Sequence, residues 1–111
     1  MNYSVELTPN FKKEAKRLSK KYLSLKSELE TLFVELEENP MSGTPLGNNI
    51  YKIRLAIDSK NKGKSGGARI LSLVKVTQTK VLLFSIYSKG ETDNLTDREI
   101  QNLIKDYLLE Q

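Results

Sequence analysis

The sequence contains no cysteine, no histidine and no tryptophan among its 111 residues. Without cysteine there are no disulfides and no thiolate metal sites. Without histidine, imidazole-bound zinc, serine triads and imidazole acid–base catalysis drop out as well. Any catalysis falls to Lys, Arg, Glu, Asp, Tyr, Ser or backbone groups. Long apolar runs are also missing: the longest clean one, Val81 to Phe84, is far too short to span a bilayer. The opening MNYSVELTP lacks the charged and apolar regions of a secretion signal. The expectation is a cytoplasmic protein with no membrane partner. An apolar fraction of 38% and a charged fraction of 29% suit one soluble globular domain spanning residues 1–111.

What is present is a concentration of positive charge. Tyr51 to Ile70, YKIRLAIDSKNKGKSGGARI, carries the cations Lys52, Arg54, Lys60, Lys62, Lys64 and Arg69 against the single anion Asp58. The whole chain is +4, so the other 91 residues sum to −1. Localised basicity of this kind is the electrostatic footprint of a phosphate-bearing partner. Lys52 and Arg54 alternate with Tyr51, Ile53 and Leu55. In a strand, both cations leave one face and the apolar residues the other. Lys60 to Gly67 reads as a flexible basic loop, and Arg69 begins the next strand. That connection brings Lys52, Arg54 and Arg69 into one neighbourhood, with Lys64 at its rim.

The rest of the chain reads as scaffold. Asn2 to Leu7 is a strand candidate, and Thr8-Pro9 has the cap and first-turn proline of a helix start. Phe11, Ala15, Leu18 and Tyr22 then form one apolar stripe. Leu25, Leu29, Leu32, Phe33 and Leu36 form a second, ended at Asn39-Pro40. The first helix is lysine-rich and the second glutamate-rich, which predicts an antiparallel hairpin with compensating charge. Met41 to Asn49 reads as loop, with Leu46 pegging it to the core. Strands are predicted at about Ile50 to Asp58, Gly67 to Thr77 and Lys80 to Ser88, the last two antiparallel neighbours. Thr96-Asp97-Arg98-Glu99 is a capping box, and Leu95 with Ile100 a hydrophobic staple. Ile100, Leu103, Ile104, Tyr107 and Leu108 make the apolar face of a last short helix. The fold class is α+β: an N-terminal strand, a helical hairpin, a mostly antiparallel sheet of about four strands, and a C-terminal helix.

The ordered set Pro45-Leu46-Gly47, YKIRLA, KSGGAR and IYSKGETDNLT, behind a helical hairpin, resembles the RelE/ParE superfamily of bacterial toxins. It is most similar to the RelE/HigB-like branch, over nearly the whole chain. The resemblance implies a toxin of a type II toxin–antitoxin pair that cuts messenger RNA on the ribosome. The implied chemistry is metal-independent: the 2′-hydroxyl attacks the adjacent phosphate, leaving a cyclic phosphate and a free 5′-hydroxyl. The partners implied are a cognate antitoxin, the ribosome and mRNA, with no metal and no cofactor. Arg69 is the leading phosphate clamp, because its planar fork grips two oxygens. Lys52 and Arg54 match the family's basic pair, and Lys89 another basic position that neutralises leaving oxygen or backbone. Glu91 is the nearest proton acceptor, and Tyr87 a stacking group or proton donor. Lys60, Lys62 and Lys64 would line the RNA path, with Gly66 and Gly67 letting the loop turn or the backbone approach RNA.

The match has gaps. Some members use a C-terminal histidine or tyrosine as acid or base, whereas this chain has no histidine and Tyr107 lies on an apolar helix face. Gly90 sits where some RelE members carry another arginine. A lysine base would need its pKa, normally about 10.4, drawn down by neighbouring cations. Two other readings stand beside the nuclease. One is a ParE-like, non-nuclease inhibitor of DNA gyrase, against which the three cations Lys52, Arg54 and Arg69 argue. The other is a non-catalytic RNA-binding module, whose binding falls steeply with salt but leaves RNA intact.

Overall fold

The structure, a computed structural model, describes residues 2–60, 63, 66–92 and 94–109. Among these residues five strands form one sheet: β1 (Ser4–Leu7), β2 (Thr44–Gly47), β3 (Ile50–Leu55), β4 (Ala68–Lys75) and β5 (Lys80–Ser88), in the order β1-β5-β4-β3-β2. Three α-helices among them complete it: α1 (Pro9–Lys21), α2 (Leu25–Glu38) and α3 (Asp97–Leu109). The α+β class, the helical hairpin and the closing helix agree with the sequence reading. All pairings are antiparallel except β1 with β5. Among the described residues no helix is long and apolar enough to cross a membrane.

The helices start and stop where their chemistry dictates. Thr8 accepts the Phe11 amide proton at 3.1 Å, with Pro9 in the first turn. Phe11 and Leu18 of α1 and Leu25, Leu29, Leu32 and Leu36 of α2 are buried, as the apolar stripes predict. The rings of Phe11 and Phe33 meet at 6.4 Å. The expected charge compensation takes another route. Among the described residues no ion pair joins α1 to α2; Arg17 and Lys21 reach Glu91 instead. The capping box of α3 forms in both directions, Thr96 N–H to Glu99 and Glu99 N–H to Thr96, each 3.1 Å.

The sheet has two differently used faces. On one, Ile53, Ile70, Val81, Leu83 and Ile86 pack against α1 and α2. On the other, Ile50, Leu71 and Phe84 pack against Ile100, with Leu95, Leu103 and Ile104 around them. Leu95 and Ile100 thus form the predicted staple. Leu108, expected on this apolar face, is 57% exposed: it falls beyond the edge of the surface that α3 covers.

Several boundaries correct the sequence reading. The segment expected to be loop contains β2, an edge strand with all four residues exposed. Its Pro45 and Gly47 are turn residues by composition, yet proline is tolerated on an edge that donates nothing inward. Asn48 and Asn49, with φ of 55° and 64°, turn it tightly into β3. Leu46 is 44% exposed, so it is no peg in the core, although it lines the cleft beside Ile100. The strand expected to reach Asp58 stops at Leu55. A short 3-10 turn, Asp58–Lys60, follows, because Glu28 accepts the Asp58 amide at 2.8 Å and Ser24 that of Ser59 at 2.9 Å. The β4 strand stops at Lys75 and a second 3-10 turn, Val76–Gln78, leads to Thr79 in the left-handed region.

Helix α3 is fastened at its far end by polar contacts. Tyr107 donates its hydroxyl proton to Glu6 of β1 at 3.1 Å, and Lys80 lies 3.5 Å from the same carboxylate. The Tyr107 hydroxyl, then the Lys80 and Lys75 charges, hold Glu6 below its ordinary value of 4.5. A lowered carboxylate stabilises the fold above its ordinary range, and that contribution fades as pH falls below it. Tyr107→Phe is therefore expected to cost about 1 kcal/mol at neutral pH. The difference from wild type should shrink in acid below 4.5, where Glu6 takes up a proton in both proteins. Urea unfolding at the two pH values checks this.

Candidate active site

The site is built by strand register. Arg54 on β3 pairs directly with Arg69 on β4, and Arg69 with Tyr87 on β5. One row back, Lys52 pairs with Leu71. Cross-strand partners share a face, and alternation puts Lys52 and Arg54 on the same side. This is the face that carries α3. It is apolar at the Ile50, Leu71 and Phe84 end and cationic at the other.

Two arginines directly opposite each other are unfavourable in a sheet. Among the described residues no carboxylate pairs with Lys52 or Arg54 to offset this. Arg54 is exposed, Lys52 half-buried and Arg69 only 6% exposed, with Nη1 donating to the Ala68 carbonyl at 3.2 Å. The arrangement suits an anion that approaches from the Arg54 side and reaches a guanidinium already held in place. Arg54, Arg69 and Lys52 therefore come together as the alternation implied.

Tyr87, whose orientation the sequence left open, belongs to the same row and is 6% exposed. Burial pushes its hydroxyl pKa up, opposed by the nearby Arg69 charge and by a backbone hydrogen bond with Leu95. The phenol thus keeps its proton at neutral pH. It lines a cleft of about 220 Å³ with Lys52, Leu71, Asn94, Leu95 and Asp97. Lys52 reaches Asn94 at 3.5 Å. Sequence reasoning missed Asn94 and Asp97. Their short polar side chains read as helix-start residues, and only the fold brings that start back over β3.

Other candidates sit elsewhere. Glu91 faces α1: one oxygen lies 3.2 Å from Arg17, the other 3.0 Å from Lys21. Those two hydrogen bonds hold its carboxyl below the ordinary glutamate value, which makes it a poorer proton acceptor. Lys60 turns inward. Its Nζ donates to Ser88 at 2.8 Å and to the Lys89 carbonyl, and it lies 5.5 Å above the Tyr22 ring. Lys89 donates its amide proton to Gly67 at 2.9 Å, closing the end of the β4–β5 pair. Gly67 is buried, and the close approach that it permits is to the carbonyl of Leu55, within the protein. Gly66 is half-buried beside it. Lys62 and Lys64 lie outside the described residues. Among the described residues no group of three metal-ligating side chains converges.

Comparison with known proteins gives concordant results. Solved structures that share the fold include two of the E. coli toxin RelE. An arginine double mutant of E. coli toxin RelE in the free state is 20% identical, with a TM-score of 0.65 over 96% of this chain and 98% of that one. The isolated E. coli RelE toxin is 18% identical, with a TM-score of 0.59 over 93% and 97%. Comparison with individually curated proteins gives no significant match. The family model of the RelE toxin of the RelE/RelB toxin–antitoxin system matches residues 5–107, nearly the whole described chain. The chain belongs to the RelE toxin family.

Proposed function

We propose that this toxin is a metal-independent, ribosome-dependent messenger RNA endonuclease of the RelE/HigB type, acting in the cytoplasm and neutralised by a cognate antitoxin. One observation carries the reading: a row of Arg54, Arg69 and Tyr87 across three strands, with Lys52 beside it, on an incompletely covered sheet face. In the reaction the 2′-oxygen attacks the adjacent phosphorus and loses its proton to a base. The bond from phosphorus to the 5′-oxygen then breaks, and that oxygen takes up a proton. Negative charge grows on the phosphoryl oxygens in between. Arg69 and Arg54 bind them, and Lys52 and Lys89 neutralise the flanking backbone or the leaving oxygen. Tyr87, kept protonated by burial, is the group suited to protonate the leaving oxygen. Glu91, committed to α1, is not assigned the role of base.

The test is to map RNA 5′ ends after brief induction in growing cells. New ends inside translated codons are expected, with none in untranslated RNA. Growth arrest with double-strand DNA breaks and no new ends would replace this reading by the gyrase-type toxin. Salt-sensitive RNA binding without cutting would leave only a binding module.

A further inference from the structure

The β5–α3 segment carries Lys89 at one end and, at the other, Asn94 and Leu95, which line the cleft beside Tyr87 and Lys52. Three sets of contacts hold it. The Lys89 amide donates to Gly67, and the Glu91 and Thr92 amides both return to the Ser88 carbonyl, curling the segment into a tight turn. Gly90, at φ 105°, supplies the left-handed residue that this turn requires. Lys60 then reaches the same turn from the other side, bonding the Ser88 hydroxyl and the Lys89 carbonyl. Finally Glu91 spans to α1, one oxygen to Arg17 and one to Lys21. Tyr22 lies beneath, its ring within 5.4 Å of Lys21 and 5.5 Å of Lys60. Its hydroxyl pKa is lowered first by Ser88 and then by these two charges.

Arg17 and Lys21 are about half exposed, and exposed ion pairs contribute little to global stability. Their geometry is nonetheless specific: a two-oxygen, two-cation clamp across some seventy residues of sequence. The geometry points to Glu91 and Lys60 as positioning residues, which hold the Ser88–Thr92 turn so that Tyr87, just before it, keeps its place between Arg69 and Leu95. The inference rests on the nuclease reading. It also assigns both residues away from direct contact with RNA, Glu91 from proton transfer and Lys60 from phosphate binding. A misplacement of about 1 Å in a supporting element can cost about 10²-fold in rate.

Charge reversal tests this. Glu91→Lys should lower the cleavage rate on preformed ribosome–mRNA complexes by about tenfold to 10²-fold. KM should be held and the melting temperature nearly unchanged. Arg17→Glu with Lys21→Glu should lower it similarly, and the three changes together should recover most of it. A proton-transfer carboxylate cannot be recovered in this way, so a dead triple variant overturns the inference. So does a Glu91→Lys protein that cuts at the wild-type rate. Amide hydrogen exchange supplies a readout independent of catalysis. In Glu91→Ala and in Lys60→Ala the amides of Lys89, Glu91 and Thr92 should exchange faster, while those of central β4 and β5 do not change. Unchanged exchange overturns the inference. If wild type cuts nothing, the nuclease reading fails, and exchange alone then decides whether the clamp exists.

Discussion

Arg69→Ala is expected to lower mRNA cleavage by about 10²–10³-fold and to abolish growth arrest, which corresponds to about 3–4 kcal/mol of transition-state stabilisation. The reason is preorganisation. Arg69 is almost fully buried between Arg54 on one neighbouring strand and Tyr87 on the other, and it is oriented by the Ala68 carbonyl. It need not be ordered or desolvated at the moment of reaction. An exposed cation such as Arg54 is screened by water and must be immobilised, so Arg54→Ala is expected to cost less. Arg69→Lys keeps the charge but loses the two-pronged grip, and should recover only part of the activity. Relief of the like-charge pair with Arg54 offsets some of the packing lost on truncation. The alanine variant should therefore remain folded and still bind its antitoxin. Cleavage assays read beside thermal melting check this, and full toxicity of a folded Arg69→Ala protein would remove Arg69 from the site.

The second large effect is structural. Gly67→Ala places a Cβ 2.0 Å from the Leu55 carbonyl oxygen and 3.1 Å from the Ala56 Cα. Both are backbone atoms, so no rotamer change relieves the overlap. Leu55 pairs with Ala68, and the clash therefore pushes β3 and β4 apart at the end where Arg54 faces Arg69. The expected cost is about 3 kcal/mol or more, the upper end for overpacking, with a melting temperature lower by more than about 10 °C. Cleavage should fall with it, because the register that aligns the row is strained. If instead Gly67 served only to let RNA approach the backbone, the alanine variant would melt normally and lose cleavage alone. Calorimetry of the one variant separates the two roles.

These two residues mark where the sequence was readable. The apolar periods of α1 and α2, the Thr8-Pro9 start and the Thr96–Glu99 capping box are local devices, each completed within a few residues. They appear in the structure as the pattern predicts. The alternation around Lys52 and Arg54 likewise settles which residues share a face, since the side-chain period of a strand is two. The strand β2 escaped notice because an exposed edge strand needs no apolar alternation, and its Pro45 and Gly47 imitate a loop.

By itself, then, the sequence determined the α+β class, the helical hairpin, the concentration of cations on one stretch and the absence of histidine and cysteine chemistry. All of these follow from composition and short-range periodicity. Tertiary structure alone decided which candidates meet. Strand register set Arg54, Arg69 and Tyr87 in a row, and burial then raised the Tyr87 pKa. Packing across the fold drew Glu91 to α1 and Lys60 to Ser88, away from that row. Lys60 and Arg54 look alike in sequence, two cations in one basic stretch. Their difference lies in partners that are 28 residues away for one and on the facing strand for the other. Only closure of the sheet chooses those partners.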